Sequence, residues 1–180
     1  MKIIIVNDPK TEKEFLNVVN SIYKYDKAFI RPLDQDIEKI FDSNRNPFFK
    51  HGKCIRWILK DDNNATIGRI AAFINEKKAF NYEQPTGGMG FFECINNEEA
   101  AFLLFDTAKN WLQEHKMKAM EGPINFGEND TFWGLLVEGF TPPSYGMNYH
   151  LPYYHQLFTA YGFKTAYEQL TNHINLTIPF

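Results

Sequence analysis

Glycine is missing from residues 91–121, although the 180-residue sequence contains 11 glycines. This stretch includes residues 96–101, Asn-Asn-Glu-Glu-Ala-Ala, which lie where a predicted strand runs into a predicted helix. A phosphate-binding helix N-terminus is usually preceded by glycines, because a backbone without Cβ atoms lets its N–H groups reach the anion. The sequence therefore excludes a glycine-rich phosphate loop at this turn. The glycine cluster at residues 86–90 is no substitute, because neither a helix nor a lysine follows it.

Concentrated positive charge and long hydrophobic runs are also missing. The net charge is −3, and no basic cluster exceeds pairs such as Lys77-Lys78, so nucleic acid is not an expected partner. Near the N-terminus only the four residues 3–6 are consecutively apolar. That run is too short for a signal-peptide core or a membrane span. We therefore expect a cytoplasmic protein without a membrane partner.

Cysteine is scarce, and the histidines are scattered. In a cytoplasmic protein we expect Cys54 and Cys94 to be reduced thiols. His150 and His155 are five residues apart, which is not the helical spacing that brings two imidazoles onto one metal. The sequence therefore predicts no metal site.

The first part of the chain predicts strands and amphipathic helices in alternation. Thr11 and Glu14 have the spacing of a capping box, so a first helix is expected to begin there. Asp34 is expected to cap a second, short helix. Gly68, inside a strand, indicates a bulge or a close backbone approach. The predicted strands are residues 2–6, 54–60 and 65–74.

The second part continues this alternation. A strand over residues 89–95 precedes a helix over 98–115, whose apolar residues recur with helical spacing. A short strand over 119–122, a final helix from Pro152 to just before Gly162, and closing strands over 163–178 follow. This order predicts one α+β domain over residues 1–180, with a mixed, mostly antiparallel central sheet flanked by helices.

Three segments together resemble the skeleton of the GNAT superfamily of acyl-CoA-dependent N-acyltransferases. They read TIGRIAAFIN at 66–75, GGMGFFECINNEEAAFLLFDTAKNWLQEH at 87–115 and YYHQLFTAYGFK at 153–164. The resemblance extends from about residue 29 to residue 176 and implies the GNAT fold. Residues 122–163 are similar to bacterial GNAT-like proteins of unassigned substrate. Those proteins are often longer, so the chain is either one domain or the N-terminal half of a tandem protein.

The resemblance also implies acetyl-CoA or CoA as the cofactor, but two positions depart from the family pattern. The family turn Gln/Arg-x-x-Gly-x-Gly/Ala is replaced by residues 96–101, where Glu98 and Glu99 complement the helix dipole and repel a pyrophosphate. We therefore predict a self-capped structural helix. Phe158 stands where many members have the tyrosine that protonates the leaving thiolate.

Other residues remain as candidates for the chemistry that the resemblance implies. Tyr154, one turn earlier, is the candidate acid, and Tyr161 is the other nearby phenol; for both, a packing role with a surface hydroxyl is the alternative. Glu93 is the candidate general base, with Glu121 on the next strand and a solvated carboxylate as the alternative for either. The backbone of splayed central strands can hold the pantetheine arm of CoA. The residues expected to do so are Phe92, Cys94 and Ile95.

An aromatic stretch over residues 131–158 is the candidate substrate pocket. Its rings have polar tips and are interspersed with Gly and Pro, which is typical of the wall of a ligand site but also of a well-anchored loop. The sequence alone is compatible with both a ligand-site wall and an anchored loop. His150 is a further polar candidate. The expected pocket residues are Trp133, Glu138, Tyr145, Asn148, Tyr149 and Tyr153.

Three functions are compatible with these patterns. The first is an acetyltransferase-like domain with a weak or lost CoA site, acting as a binding or scaffolding half beside a second GNAT-like domain or in a homodimer. The second is an active N-acyltransferase that acts on a small amine or a peptide N-terminus. The third is a non-catalytic module that binds a small molecule through residues 131–158.

Overall fold

The computed structural model describes residues 1–81, 83–172 and 174–177 and contains a sheet with helices on both sides. The elements in chain order are β1 (Lys2–Ile5), α1 (Pro9–Ile22), α2 (Asp34–Phe41), a 3-10 helix (Pro47–His51), β2 (Gly52–Lys60), β3 (Thr66–Asn75), α3 (Glu76–Ala79), β4 (Thr86–Cys94), α4 (Glu98–Glu114), β5 (Ala119–Glu121) and α5 (Tyr153–Tyr161). No helix among the described residues is both long and apolar enough to cross a membrane.

The sheet has five strands in the order β1-β2-β3-β4-β5. The first three pairings are antiparallel, and only β4 and β5 run parallel. The predicted α+β class and the mixed, mostly antiparallel sheet are therefore confirmed. Alternate residues of a strand face opposite sides. Accordingly, Trp57 and Leu59 pack in the core with α4 and α5, whereas Ile58 packs with Phe15 of α1.

Both helix caps in the structure differ from the predicted caps. Helix α1 begins earlier than expected, because Asp8 is the N-cap and Pro9 is the first helical residue. Asp8 Oδ1 accepts from the Thr11 backbone N–H at 2.8 Å, and Thr11 Oγ1 accepts from the Asp8 backbone N–H at 3.2 Å. Thr11 is thus the second member of the capping box, not the first. Asp34 does not cap α2, since Leu33 holds the N-cap position without a side-chain hydrogen bond.

The close backbone approach predicted at Gly68 is confirmed. A Cβ atom there would lie 2.8 Å from the Glu93 carbonyl oxygen and 2.8 Å from Leu104 Cδ1. Glycine at this position therefore lets β3 and β4 pair while α4 packs directly on the sheet.

Strands β4 and β5 pair over a short length and then separate. The parallel register covers only residues 86–88 of β4, and one further hydrogen bond joins the Ile124 N–H to the Met89 carbonyl. At Phe91 the backbone has a φ of 50°, and the register between β3 and β4 shifts nearby. The C-terminal end of β4, which carries Glu93 and Cys94, is therefore free of β5.

The closing strands predicted over residues 163–178 are wrong for the part that the structure describes. Helix α5 ends at Gly162, whose φ of 107° suits glycine, and residues 163–172 and 174–177 form no strand. Extended sequence preference alone does not make a strand, because a strand also needs a ladder partner, and no described residue pairs with the outer edge of β5. Residues 173 and 178 lie outside the described residues.

Candidate functional site

Glu93 is the centre of a buried polar cluster near the free end of β4. Its side chain is only 10% exposed, and Oε2 accepts hydrogen bonds from Tyr23 Oη and Tyr154 Oη, each at 2.7 Å. Tyr23 follows α1 directly, and Tyr154 lies in the first turn of α5. The cluster therefore ties helices on opposite faces of the sheet to one carboxylate. The sequence leaves open that Glu93 is a solvated carboxylate and that the Tyr154 hydroxyl lies at the surface. Both of these alternatives are wrong.

Arg69 supplies the positive charge of this cluster. It lies opposite Glu93 in the register of β3 and β4, and one terminal nitrogen is 3.5 Å from Glu93 Oε1. The other terminal nitrogen donates to the Phe15 carbonyl at 2.7 Å, and the guanidinium lies 4.8 Å from the centre of the Phe15 ring. Helix α1 and the sheet are thereby joined through one buried cation. Arg69 Nε has no hydrogen-bond partner among the described residues.

Burial dominates the ionisation of these groups. It raises the Glu93 pKa, and Arg69 and the two phenols oppose that rise because they stabilise the carboxylate. Burial and the neighbouring Glu93 carboxylate hold the pKa values of Tyr23 and Tyr154 well above the ordinary value, so both phenols remain protonated donors. These donors occupy most of the acceptor sites of the carboxylate, so little of it is left to accept a proton from a substrate.

Tyrosines of α5 also occupy the free backbone edge of β4. The Cys94 N–H donates to Tyr154 Oη at 3.1 Å, and Tyr153 Oη donates to the Cys94 carbonyl at 2.6 Å. The Ile95 N–H donates to the Ile67 carbonyl at 3.0 Å. Both backbone polar groups of Cys94 thus have partners at the place where the sequence predicts a pantetheine arm.

Aromatic packing fills the space beside this edge. The Phe92 ring stacks on Phe105 at 4.4 Å between centroids and contacts Phe158 and Tyr154 edge-on. Tyr154 and Phe92 are almost fully buried, and Phe158 is 4% exposed. The face of β4 that carries Phe92 is therefore covered by side chains of α4 and α5.

The N-terminus of α4 is self-capped, as predicted. Asn97 Oδ1 accepts from the Ala100 backbone N–H at 2.8 Å, and Glu98 and Glu99 lie in the first helical turn. An N–H that an anion would need is thus already bonded, and two carboxylates stand beside it. Ala100 and Ala101 are fully buried, so their Cβ atoms belong to the core.

A narrow cleft lies against the cluster and is lined in part by the aromatic stretch. Asn148 and Tyr149 line it together with Glu93 and Arg69. Tyr149 Oη donates to Asp26 at 2.9 Å, which anchors the loop to the segment after α1. The cleft is small, with a volume of about 30 Å³ that admits only a few water molecules.

The other predicted pocket residues do not converge on this cleft. Trp133 Nε1 donates to Tyr167 Oη at 2.7 Å, and Tyr145 Oη donates to Asp36 at 2.7 Å from a side chain that is largely exposed. Glu138 is exposed, and Tyr153 lies on the Cys94 side. The structure thus places two of the six predicted residues beside Glu93.

His150 also lies in the cleft wall, and its role is structural. Its Nδ1 accepts from the Leu136 backbone N–H at 3.1 Å, and burial lowers its pKa to about 3. The imidazole is therefore neutral, and it holds two distant parts of the loop together.

Sequence reasoning missed Tyr23 and Arg69. A signal for Arg69 was present, because it is the one charged residue in the strand TIGRIAAFIN, where a buried charge requires a partner. Tyr23 is one turn after Val19 on the apolar face of α1, but its partner Glu93 is 70 residues away. No local pattern in the sequence connects the two.

Comparison with known proteins identifies the fold. Over 97% of its length the chain superposes on an aminoglycoside antibiotic 6'-N-acetyltransferase from Acinetobacter baumannii, with a TM-score of 0.54, 10% identity and 98% of that chain covered. A predicted acetyltransferase with acetyl-CoA from Clostridium acetobutylicum gives a TM-score of 0.53 at 11% identity, with 96% of each chain covered. Glucosamine-6-phosphate N-acetyltransferase from Arabidopsis thaliana gives 0.52 at 7% identity, with 97% of this chain and 100% of that chain covered. The predicted GNAT fold is therefore confirmed.

Sequence comparison finds a relative that is longer than this chain. The chain is 31% identical over 143 residues to Protein YghO of Escherichia coli strain K12, a match that covers 79% of this chain. The chain spans about a third of that relative's length, with 36% covered. No family model matches the chain.

Proposed function

We propose that this chain, which has the fold of the GNAT acetyltransferases, is an acetyltransferase-like domain whose CoA site is closed. It serves as a binding or scaffolding unit and does not catalyse acyl transfer. The observation that carries the proposal is the pair of hydrogen bonds that join Tyr153 and Tyr154 to the backbone of Cys94. These bonds take up the strand edge on which a pantetheine arm would have to pair.

Opening that edge is costly. A ligand that replaced the tyrosines would have to remove Tyr154 from Glu93 as well, because the same hydroxyl bonds both the carboxylate and the Cys94 N–H. It would leave a buried carboxylate with one donor fewer, and each such loss typically costs about 1–3 kcal/mol. The ligand would also displace the aromatic side chains that pack around Phe92.

The helix that faces the expected pyrophosphate position supports the same function. Glu98 and Glu99 lie in the first turn of α4, and Asn97 already caps it. Negative charge at this end repels a diphosphate, whereas a free helix N-terminus would attract it. The closed strand edge and the acidic turn are independent features that disfavour the same ligand.

The length of Protein YghO supports a role as one part of a larger assembly. The matched region is about a third of that protein. A closed GNAT-fold unit beside a second unit, in the same chain or in another copy, would contribute surface and stability while chemistry takes place elsewhere.

A second candidate function is an active N-acyltransferase on a small amine or a peptide N-terminus, with acetyl-CoA as the donor. The observation that favours it is the 2.7 Å hydrogen bond between Glu93 and Tyr154, since a carboxylate and a phenol are suited to act as base and acid. In this case α5 must move away from β4 before the cofactor enters. A small-ligand module is the third candidate, and it rests on Asn148 and Tyr149 in the cleft beside Glu93.

Calorimetric titration with CoA and with acetyl-CoA, alongside thermal unfolding, separates these functions. We expect no heat of binding and no stabilisation at millimolar ligand. A micromolar dissociation constant would instead stabilise the fold by about 4 kcal/mol at a thousandfold excess over that constant, and would overturn the proposal. A matched variant, Tyr153→Phe, removes the hydroxyl that covers the Cys94 carbonyl and keeps the ring. If the edge is closed by packing as well as by hydrogen bonds, this variant also fails to bind.

A further inference from the structure

The cleft beside Glu93 combines apolar walls with a few buried polar groups, a composition that is usual for a small-molecule site. The polar side chains that line it include Arg69, Glu93, Asn148 and His150. Arg69 and His150 are only 3% and 4% exposed. Rings and aliphatic side chains form most of the remaining lining, among them Phe29, Ile30, Pro32 and Phe132.

Two N–H groups of this lining have no acceptor among the described residues. The terminal nitrogens of Arg69 contact the Phe15 carbonyl and Glu93, but Nε has no partner. His150 Nδ1 accepts the Leu136 N–H, so the neutral ring carries its proton on Nε2, and no described residue accepts from that nitrogen. Because an unpaired buried donor is unfavourable, both N–H groups favour a ligand that brings an acceptor.

Two acceptors also remain in the same cleft. Both phenols that bond Glu93 donate to Oε2, so Oε1 has only the contact with Arg69 at 3.5 Å. Asn148 Nδ2 donates to the Gly134 carbonyl at 2.9 Å, which leaves Oδ1 available as an acceptor. The cleft therefore offers both donors and acceptors to one small group.

The charges of the lining cancel. Among the described residues that line the cleft, Arg69 and Glu93 are the charged ones, and His150 is neutral. A bound carboxylate would lie near Glu93, and a bound ammonium would lie near Arg69, each in a site that excludes most water. A neutral ligand group therefore suits the cleft better than an ion of either sign.

We infer that the cleft binds a neutral ligand through a primary carboxamide group. The carbonyl oxygen of the ligand accepts from Arg69 Nε and His150 Nε2, and its NH₂ group donates to Glu93 Oε1 and Asn148 Oδ1. Because the inference rests on the proposed role of the chain as a binding unit, the site needs no acyl donor.

The size of the cleft limits the part of the ligand that enters it. A volume of about 30 Å³ admits only a few water molecules, and a carboxamide head of one carbon, one oxygen and one nitrogen is of that size. Ile30 lines the cleft and is 56% exposed, so it marks the mouth. The body of the ligand is therefore expected to lie outside the narrow part, against apolar surface that includes Ile30 and Pro32.

Three probes of the same planar shape test this inference. Benzamide is neutral, benzoate is an anion and benzamidine is a cation. In an NMR titration of the wild-type chain, benzamide is expected to cause saturable shifts of the backbone amides of residues 148–150, with a millimolar dissociation constant. The two ions are expected to bind at least ~10-fold more weakly, because each places an unbalanced charge beside the buried pair.

The variant His150→Asn separates the ligand contact from the structural one. The introduced amide oxygen keeps an acceptor for the Leu136 N–H, whereas the Nε2 donor is lost, so the affinity for benzamide is expected to fall ~5-fold. The matched control His155→Asn changes an exposed histidine that does not line the cleft, and it should leave the affinity unchanged.

Several outcomes would overturn the inference. These are benzoate or benzamidine binding as tightly as benzamide, no saturable shift at the solubility limit of benzamide, or a folded His150→Asn chain that binds benzamide as the wild type does. If that variant does not fold, the three probes on the wild type decide alone. CoA titration is a separate readout. A chain that binds benzamide and also CoA supports the carboxamide site and overturns the closed CoA site, whereas a chain that binds neither does the reverse.

Discussion

Tyr154 Oη lies 2.7 Å from Glu93 Oε2 and 3.1 Å from the Cys94 backbone nitrogen, so one hydroxyl serves two neighbouring residues of β4. It donates to the carboxylate and accepts from the amide. The hydroxyl that the sequence offers as a catalytic acid therefore fastens α5 to the sheet. We expect the stability of the fold to depend on this hydroxyl, and the proposed exclusion of the cofactor depends on it as well.

We expect Tyr154→Phe to destabilise the fold by about 1–3 kcal/mol, because it leaves a buried carboxylate and a buried N–H each with one partner fewer. Urea unfolding followed by circular dichroism measures the change. The control is Tyr145→Phe, which also removes a hydrogen bond from a tyrosine to a carboxylate, but from a side chain that is 80% exposed, so its effect should stay within about 0.5 kcal/mol. Equal losses in the two variants would contradict the structural role of Tyr154.

The pair formed by Arg69 and Glu93 should show strong coupling. Arg69→Met leaves Glu93 buried without its cation, and Glu93→Gln leaves Arg69 buried without its anion, so each single change is expected to cost about 3–5 kcal/mol. The double variant should cost less than the sum, because neither charge remains. Additive losses in this double-mutant cycle would show that the two groups do not interact.

A surface pair provides the comparison for this cycle. Arg31 and Asp34 form an ion pair with both side chains partly exposed. Arg31→Met is expected to change the free energy of unfolding by less than about 1 kcal/mol, since exposed ion pairs contribute little. The difference between the stability losses caused by Arg31→Met and Arg69→Met measures how burial changes the contribution of an ion pair.

The sequence predicts the skeleton of this fold because its signals are local. Helix α4 follows from the spacing of Leu104, Ala108 and Leu112, and α5 ends where Gly162 breaks it. The predicted start of α1 is three residues late, because Asp8 and Thr11 have the same capping spacing as Thr11 and Glu14.

The site is less predictable because its contacts are distant in sequence. Glu93 stands out as a candidate in the sequence, but its burial depends on Tyr23 and Tyr154, which are 70 and 61 residues away.

His150 should make the stability depend on pH. Its folded-state pKa is about 3, below the ordinary value of 6.5, because the imidazole is buried. Below pH 6.5 the unfolded chain binds a proton that the folded chain does not, so the His150 contribution is present at neutral pH and is lost as the pH falls toward 3. The loss approaches about 1.4 kcal/mol per pH unit.

The variant His150→Asn isolates this effect from other titrating groups. The amide oxygen of the introduced asparagine is expected to replace Nδ1 as acceptor for the Leu136 N–H, and it does not titrate. Urea unfolding at about pH 7 and pH 5 should show the wild type losing about 2 kcal/mol more than the variant. Parallel losses in both proteins would mean that the imidazole is protonated in the folded state.

Removing the negative charges from the first turn of α4 should raise any affinity that the protein has for CoA. Glu98→Gln combined with Glu99→Gln removes two charges beside the helix N-terminus while Asn97 still caps it. Two carboxylates near a diphosphate repel it by up to a few kcal/mol at intermediate dielectric, so we expect the dissociation constant to fall several-fold. NMR titration with CoA at millimolar concentration detects binding this weak.

The control for this variant removes the same net charge from exposed sites outside α4. Glu76→Gln combined with Glu83→Gln should leave the affinity for CoA unchanged, because these carboxylates do not stand at the helix N-terminus that would face a bound diphosphate. Equal affinities in all three proteins would show that the acidic turn does not repel the cofactor. The proposed closure of the CoA site would then rest on the packing of Tyr153 and Tyr154 on β4 alone.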